Sequence, residues 1–283
     1  MRTLGVAVTR CVLCVTAIVL SLAPQVRAQP VKPNQCATCH ASLSEPKLAA
    51  PVKATIGDVH DKTGVRCADC HGGDPGAIDK AAAHAAAHGY RGKPSGATIC
   101  ATCHVLLNEK FKTSAHAQIF ETACVECHSN HGVKKPSDAM LGTASDAVCA
   151  SCHSEKDDPG FVAADRMRAS MDKLGRGIAD AGGLVSRARN AGMEVGDQEL
   201  ALHEAGTTLV LARTEMHSFN PDALDAVIGD GMKIVTAVNE GGNRALAELG
   251  YRRRGLFLSL GAILIFVAAL GLKIRSLNQR HPH

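Results

Sequence analysis

The sequence predicts a mainly α-helical chain in three parts: a cysteine- and histidine-rich domain with little regular structure, a long-helix domain, and a C-terminal transmembrane helix. Three observations predict it. CxxC pairs followed by histidine stop before residue 156, cysteine-free helical periodicity takes over after them, and an uncharged apolar run stands near the end. The net charge of +4 is modest and there is no basic run interleaved with aromatics, which excludes nucleic acid as the expected partner. Only 3% of the residues are aromatic, with no Trp, so the first domain needs something other than large side chains to fill its interior.

The chain opens with Arg2 and Arg10 around a short n-region, an apolar run from Cys11 to Leu22, and a small-residue pattern ending at Ala28. These are the parts of a secretory signal peptide spanning residues 1–28. Its removal takes Cys11 and Cys14, a CxxC pair followed by Val15 rather than by histidine. Ten cysteines remain: Cys36/Cys39, Cys67/Cys70, Cys100/Cys103, Cys124/Cys127 and Cys149/Cys152. Each pair is followed at once by a histidine, namely His40, His71, His104, His128 and His153.

CxxCH is the attachment signature of haem c. Two thiols add across the haem vinyl groups and the adjacent histidine becomes the proximal iron ligand. Zinc knuckles need two CxxC pairs per metal, and five pairs leave one without a partner. Thioredoxin-like redox motifs need a βαβ setting that this region lacks. The count therefore predicts five covalently attached haems c in residues 29–155, outside the cytoplasm. Five large apolar cofactors would supply the interior that the side chains do not. The expected regular structure is short helices at the CxxCH sites, with loops such as Gly72-Gly73-Asp74-Pro75-Gly76 wrapping the cofactors.

Each iron then needs a sixth ligand, and axial ligation sets the potential. The histidines outside the motifs are His60, His84, His88, His116, His131, His203 and His217, apart from the terminal His281 and His283. His60 precedes Cys67 by seven residues and His116 precedes Cys124 by eight, while His131 follows His128 by three, within reach of a neighbouring iron. A lone histidine is ordinarily a solvated or core side chain; five irons in need of partners reverse that expectation for His60, His116 and His131.

The stretch Cys67-Ala68-Asp69-Cys70-His71-Gly72-Gly73-Asp74-Pro75 with Ala82-Ala83-His84, and the Ser-x-His…CxxCH-x-x-His arrangement from Ser114 to His131, resemble periplasmic multihaem cytochromes. That set includes the class III cytochromes c and the membrane-anchored NapC/NirT-type quinol dehydrogenases. The resemblance covers about residues 34–155. It implies bis-histidine haems in closely spaced pairs and favours His84 over His88 as a ligand. The chain departs from the NapC/NirT pattern in having a cleaved signal and a C-terminal anchor.

Beyond His153 helical periodicity runs from about Phe161 to Ala191 and from Asp197 to Ser218. Asn220-Pro221-Asp222 reads as a helix start, and the pattern then continues through Ala247 and into the apolar run Leu256–Leu272. Residues 156–250 form the expected helical domain. Leu256–Leu272 is 17 residues without a charge, about 26 Å of helix and enough to span a bilayer core. Residues 255–273 are thus the expected transmembrane helix and 274–283 a cytoplasmic tail. Arg252-Arg253-Arg254 precede the span as solvated side chains or as contacts to anionic lipid or haem propionates. His217 lies at a helix end, 14 residues from His203 and about 40° from it around the helix. It is the helical domain's candidate iron ligand.

These features predict a membrane-anchored electron-transfer protein of the cytoplasmic membrane with its haem domain on the periplasmic side. The quinol pool or a membrane oxidoreductase would donate, a periplasmic redox protein would accept, and membrane lipid would hold the anchor. The alternative is a reductase of a small nitrogen or sulfur oxyanion at one five-coordinate haem, with Lys110, Arg91 or His88 as acid or base.

Overall fold

The computed structural model describes residues 34–120 and 122–280; the expected leader, residues 1–28, lies outside them. The cysteine-bearing part is a chain of short helices: α1 (Gln35–Ala41), α2 (Pro46–Thr55), α3 (Val59–Lys62), α4 (Cys67–His71), α5 (Lys80–Ala83), α6 (Gly96–Cys100), α7 (Val105–Lys112) and α8 (Val125–His128), joined by loops and 3-10 turns. No strand occurs among the described residues. Side-chain caps start several of these helices. The carboxylates of Asp58 and Asp79 accept from the amides of Asp61 (2.8 Å) and Ala82 (2.9 Å), and the Asn34 side chain accepts from Ala37. Not all of the short helices coincide with a CxxCH site. α2 and α7 stand between the motifs, the former entered through Pro46 at its first turn. This head has almost no apolar interior of its own, contributing, among the described residues, only Ala123, Leu141 and Ala147 to the buried hydrophobic residues.

Three long helices follow: α9 (Pro159–Asn190), α10 (Gly196–Glu215) and α11 (Pro221–Arg280). Asp158 caps α9 by accepting from Gly160 N at 3.1 Å, and Pro159 takes its first position. The inward residues of α9 are Ala164, Met167, Met171, Leu174, Ile178, Ala181, Val185 and Ala188. The alternating three- and four-residue steps are a heptad seam. α11 repeats it with Leu224, Ile228, Gly231, Val235, Val238, Gly242, Ala245 and Leu249, and α10 with Ala205, Leu209, Ala212 and Met216. The three pack as an antiparallel bundle with α11 against both partners. Glycine serves here as a packing notch: a Cβ on Gly242 would come within 2.8 Å of Leu184.

The turns are equally specified. Gly192, at φ +80°, ends α9, and Met193 N returns to Ala188 O at 3.1 Å. Between α10 and α11 a 3-10 turn, Met216–Ser218, leads to Phe219 at φ +52°, and the Asn220 side chain accepts from the amides of Asp222 and Ala223. Helix α11 then runs on through residue 250 without interruption. Beyond Leu249 it leaves the bundle, and its apolar side chains stand exposed, Phe257 at 73% and Phe266 at 69%. This segment is long and apolar enough to cross a membrane.

Head and bundle are joined by charge and packing. The Arg213 guanidinium donates to both Asp138 carboxylate oxygens at 2.9 Å, Arg168 donates to the Asp138 carbonyl at 2.6 Å, and Lys110 pairs with Glu215. Leu141 enters the bundle core beside the α9 methionines, so packing continues across the expected boundary at residue 155.

Candidate functional site

Each CxxCH motif folds as one helical turn, which sets its cysteines three residues apart on one face and swings the histidine to the end of the turn. The backbone closure repeats: the amides of His104, His128 and His153 donate to the carbonyls of Cys100 (2.8 Å), Cys124 (3.0 Å) and Cys149 (2.9 Å). None of the ten cysteines is in a disulfide among the described residues.

The ten are not equally enclosed. Cys36, Cys67, Cys70, Cys100, Cys124, Cys127 and Cys149 are half-buried, whereas Cys39, Cys103 and Cys152 are exposed. The Thr102 and Ser151 hydroxyls lie 3.9 Å from Cys103 Sγ and Cys152 Sγ, and the Ser42 hydroxyl donates to the Cys39 carbonyl at 2.7 Å.

The five motif histidines each face one of the five others singled out in the sequence. Ring centroids are 6.1 Å apart for His40 and His84, 5.9 Å for His71 and His131, and 6.4 Å for His104 and His60. They are 6.3 Å apart for His128 and His217, and 6.1 Å for His153 and His116. Two imidazoles bound to opposite sides of one first-row metal ion have metal–nitrogen bonds of about 2.0 Å and ring centres about 1.2 Å behind each nitrogen, hence centroids about 6.4 Å apart. The observed separations fit a bis-histidine iron in all five cases. Among the described residues no three His, Cys, Asp or Glu side chains converge as a closed zinc site requires.

Ligand pairing is set by contacts between loops distant in sequence. Gly73 N donates to His88 O, Asp74 N to Ala83 O at 3.1 Å, and Arg91 N to His71 O at 2.7 Å. These bonds lay residues 72–74 along residues 83–91. Gly72 and Gly73 permit the approach, since a Cβ on Gly73 would stand 2.4 Å from Ala83 O. His84 is thereby aimed at His40, with Tyr90 edge-on to its ring. Likewise Val59 N donates to Val133 O at 3.0 Å, which holds the His131 segment beside that of His60. His131 therefore meets the second motif, although it follows the fourth in sequence.

The second ring nitrogens show how the imidazoles are oriented. His84 Nδ1 lies 2.8 Å from Lys80 O, His217 Nδ1 3.0 Å from Arg213 O, and His40 Nδ1 3.2 Å from Leu48 O. A proton donated there leaves the Nε2 lone pair for a metal. His153 Nδ1 instead meets the Asp158 carboxylate. The His153 ring also lies so close to Gly160 that any Cβ there would overlap it. The first turn of α9 therefore clamps this imidazole. The Nδ1 of His116 is buried without a partner, between Phe120 and Phe219. Burial pushes His116, His128, His131 and His217 below the ordinary histidine pKa, and the neutral form it favours is the one that ligates metal.

Not every candidate joins a pair. His203 lines a shallow groove on the outer face of α10 with Glu199, Leu202 and Thr207. Lys110 is engaged with Glu215. Asp158 and the two phenylalanines around His116 escaped the sequence reading, although Asp158-Pro159 carried a usable signal as a helix start.

A family model described as a doubled CXXCH motif matches residues 116–158, which contain His116, the fourth and fifth motifs and Asp158. No curated protein and no solved structure matches the chain. The doubled motif, with the CxxCH turns around it, marks a multihaem c-type cytochrome that binds haem c covalently and takes part in electron transfer.

Proposed function

We propose that the chain is a pentahaem cytochrome with five bis-histidine irons, anchored by its C-terminal helix, and that it conducts electrons rather than transforming a substrate. The observation that carries this reading is the set of five histidine pairs, all 5.9–6.4 Å between ring centroids. In it the ten motif cysteines hold the haems, His40, His71, His104, His128 and His153 are the proximal ligands, and His84, His131, His60, His217 and His116 are their respective distal ligands. Bound haem c supplies a one-electron ferric/ferrous couple. The protein's part is to hold two imidazoles per iron so that ligation does not change with oxidation state, and to keep substrates off the metal. A reductase would need one iron with an open face, and no motif histidine lacks a facing imidazole.

Haem c is attached outside the cytoplasm, so this reading places residues 29–250 on the periplasmic side after loss of residues 1–28. Residues 255–273 then span the membrane and the tail from 274 is cytoplasmic. Electrons would come from the quinol pool or a membrane oxidoreductase and leave to a periplasmic redox protein. The test is electron paramagnetic resonance of the oxidised full-length protein together with a haem count per chain. Five haems, all low-spin ferric, are expected; a stoichiometric high-spin signal would favour a reductase of a small oxyanion instead.

A further inference from the structure

The bundle and the apolar segment share one helix. α11 starts at the turn carrying His217 and reaches its charge-free stretch at Leu256 with no break between. From Pro221 to Gly255 it climbs roughly 50 Å at 1.5 Å per residue. Most of that length is sheathed: Gly231 lies against Leu174, Gly242 against Leu184, and Leu249 closes the core. The result is a stiff post rather than a lone flexible helix. The head sits on the end away from the apolar segment. Its ion pairs and hydrogen bonds to the bundle fall at Asp165 and Arg168 on α9 and at Arg213 and Glu215 on α10. Lower down, the outer face of α10 is bare, with Leu200 71% exposed.

The attachment sites neighbour one another in chain order. Cys36 neighbours Cys67, Cys70 neighbours Cys103, Cys100 neighbours Cys124, and Cys127 neighbours Cys149. The fourth and fifth sites, through His217 and His153, stand at the upper end of the post. The other three follow in turn, the third beside the fourth, the second beside the third and the first beside the second.

We infer that the bundle is a stand-off, which holds all five haems tens of ångströms outside the bilayer so that they exchange electrons with redox proteins in the aqueous phase and not with quinol dissolved in the membrane. The inference rests on the anchored reading above and decides between its two donors. Electron tunnelling through protein falls exponentially with distance, and the ring of a long-chain quinol stays within the lipid. A membrane oxidoreductase with a redox centre in its extramembrane domain meets the head at the right height; the quinol pool does not. In each exchange one electron leaves the partner's reduced centre and takes one haem iron from ferric to ferrous, and no bond forms or breaks. The same distance removes haem propionates as partners for Arg252–Arg254, which leaves water, lipid headgroups and, for Arg252, the Glu248 carboxylate at 2.5 Å.

The test uses the full-length holoprotein in supported lipid bilayers and two quinols that differ only in an isoprenoid tail. The tail-less, water-soluble quinol is expected to reduce the haems. The tailed quinol, confined to the lipid, is expected to leave them oxidised over the same period. Neutron reflectometry on the same films should find the dense head separated from the lipid by a thinner layer. Reduction by the tailed quinol, or a head layer lying on the lipid, overturns the stand-off while leaving the anchor intact. Protein that washes off the bilayer overturns the anchored reading itself, and the stand-off with it.

Discussion

Replacing His217 by Ala tests whether the bundle completes the head. His217 sits on the 3-10 turn between α10 and α11, its Nδ1 tied to Arg213 O and its ring 6.3 Å from that of His128. Removing the imidazole leaves the fourth iron with one protein ligand. His203 cannot replace it, because 14 residues of helix put it about 21 Å away. One haem in five should therefore turn high-spin, so about a fifth of the total haem changes its resonance signal and its Soret position while the rest stays low-spin. The bundle should keep its far-ultraviolet circular dichroism, since His217 lies outside the heptad core. His217→Met should hold the iron low-spin and raise one midpoint potential, as thioether ligation does. The measurement is electron paramagnetic resonance with a haem count on the same sample. Five haems, all low-spin, in the Ala variant would refute the assignment of His217.

Asp158→Asn should raise the midpoint potential of one haem and leave four unchanged in a spectroelectrochemical titration. A carboxylate accepting from His153 Nδ1 makes the imidazole more basic and favours the ferric state, and an amide does so less. Leu174→Ala removes a fully buried side chain facing Gly231 and should cost about 2–5 kcal/mol of bundle stability by chemical denaturation. Asp225 accepts from the Ser170 hydroxyl at 2.5 Å and pairs with Arg166, and both hold its carboxyl below the ordinary 3.8. Its folded pKa is thus lower than its unfolded one. The stability it contributes is present above the unfolded value and is lost as pH falls through the folded one. Wild type and Asp225→Asn should therefore differ in denaturation midpoint at neutral pH and converge in acid.

Much of this was legible because covalent chemistry dictates spacing. Haem attachment requires CxxCH, so the motifs could be read directly, and surplus histidines then had to be accounted for. Which histidine faces which motif was not legible. That depends on contacts such as Val59 N to Val133 O and Gly73 against Ala83 O, between segments whose local sequences carry no sign of each other. Nor does the motif say how deep each thiol lies: Cys39 and Cys152 are exposed and Cys36 and Cys149 half-buried within the same four-residue pattern. His84 emerged over His88 only through resemblance; in the structure it is the His84 ring that lies 6.1 Å from that of His40. In the second half, α9 and α11 advertise their heptads, whereas α10 is apolar on several sides, with Leu200, Val210 and Leu211 facing outward, so its periodicity located the helix without identifying its buried face. Hydropathy changes at Leu256, where the helical pattern runs on into the charge-free stretch. The backbone does not change there, and that continuity gives the bundle its reach.

The two halves should also differ in what folds them. The bundle has a continuous apolar seam from Ala164 to Leu249 and caps at its turns, so burial can stabilise it without a cofactor. The head buries almost nothing of its own, and each of its histidine pairs joins segments far apart in sequence, such as His40 with His84 and His128 with His217. Closing such loops costs entropy that a few buried alanines cannot offset. A ligand that binds only the folded form supplies the difference. The full-length chain made without haem attachment should therefore keep a cooperative helical melting transition from the bundle, while residues 34–155 are cut rapidly by protease. Haem loading should protect that region without much change in the bundle transition. Equal protease resistance with and without haem would mean that the head folds by side-chain packing after all. Because His217 belongs to the bundle and His128 to the head, the fourth haem is the one whose loading should also raise the bundle's own transition.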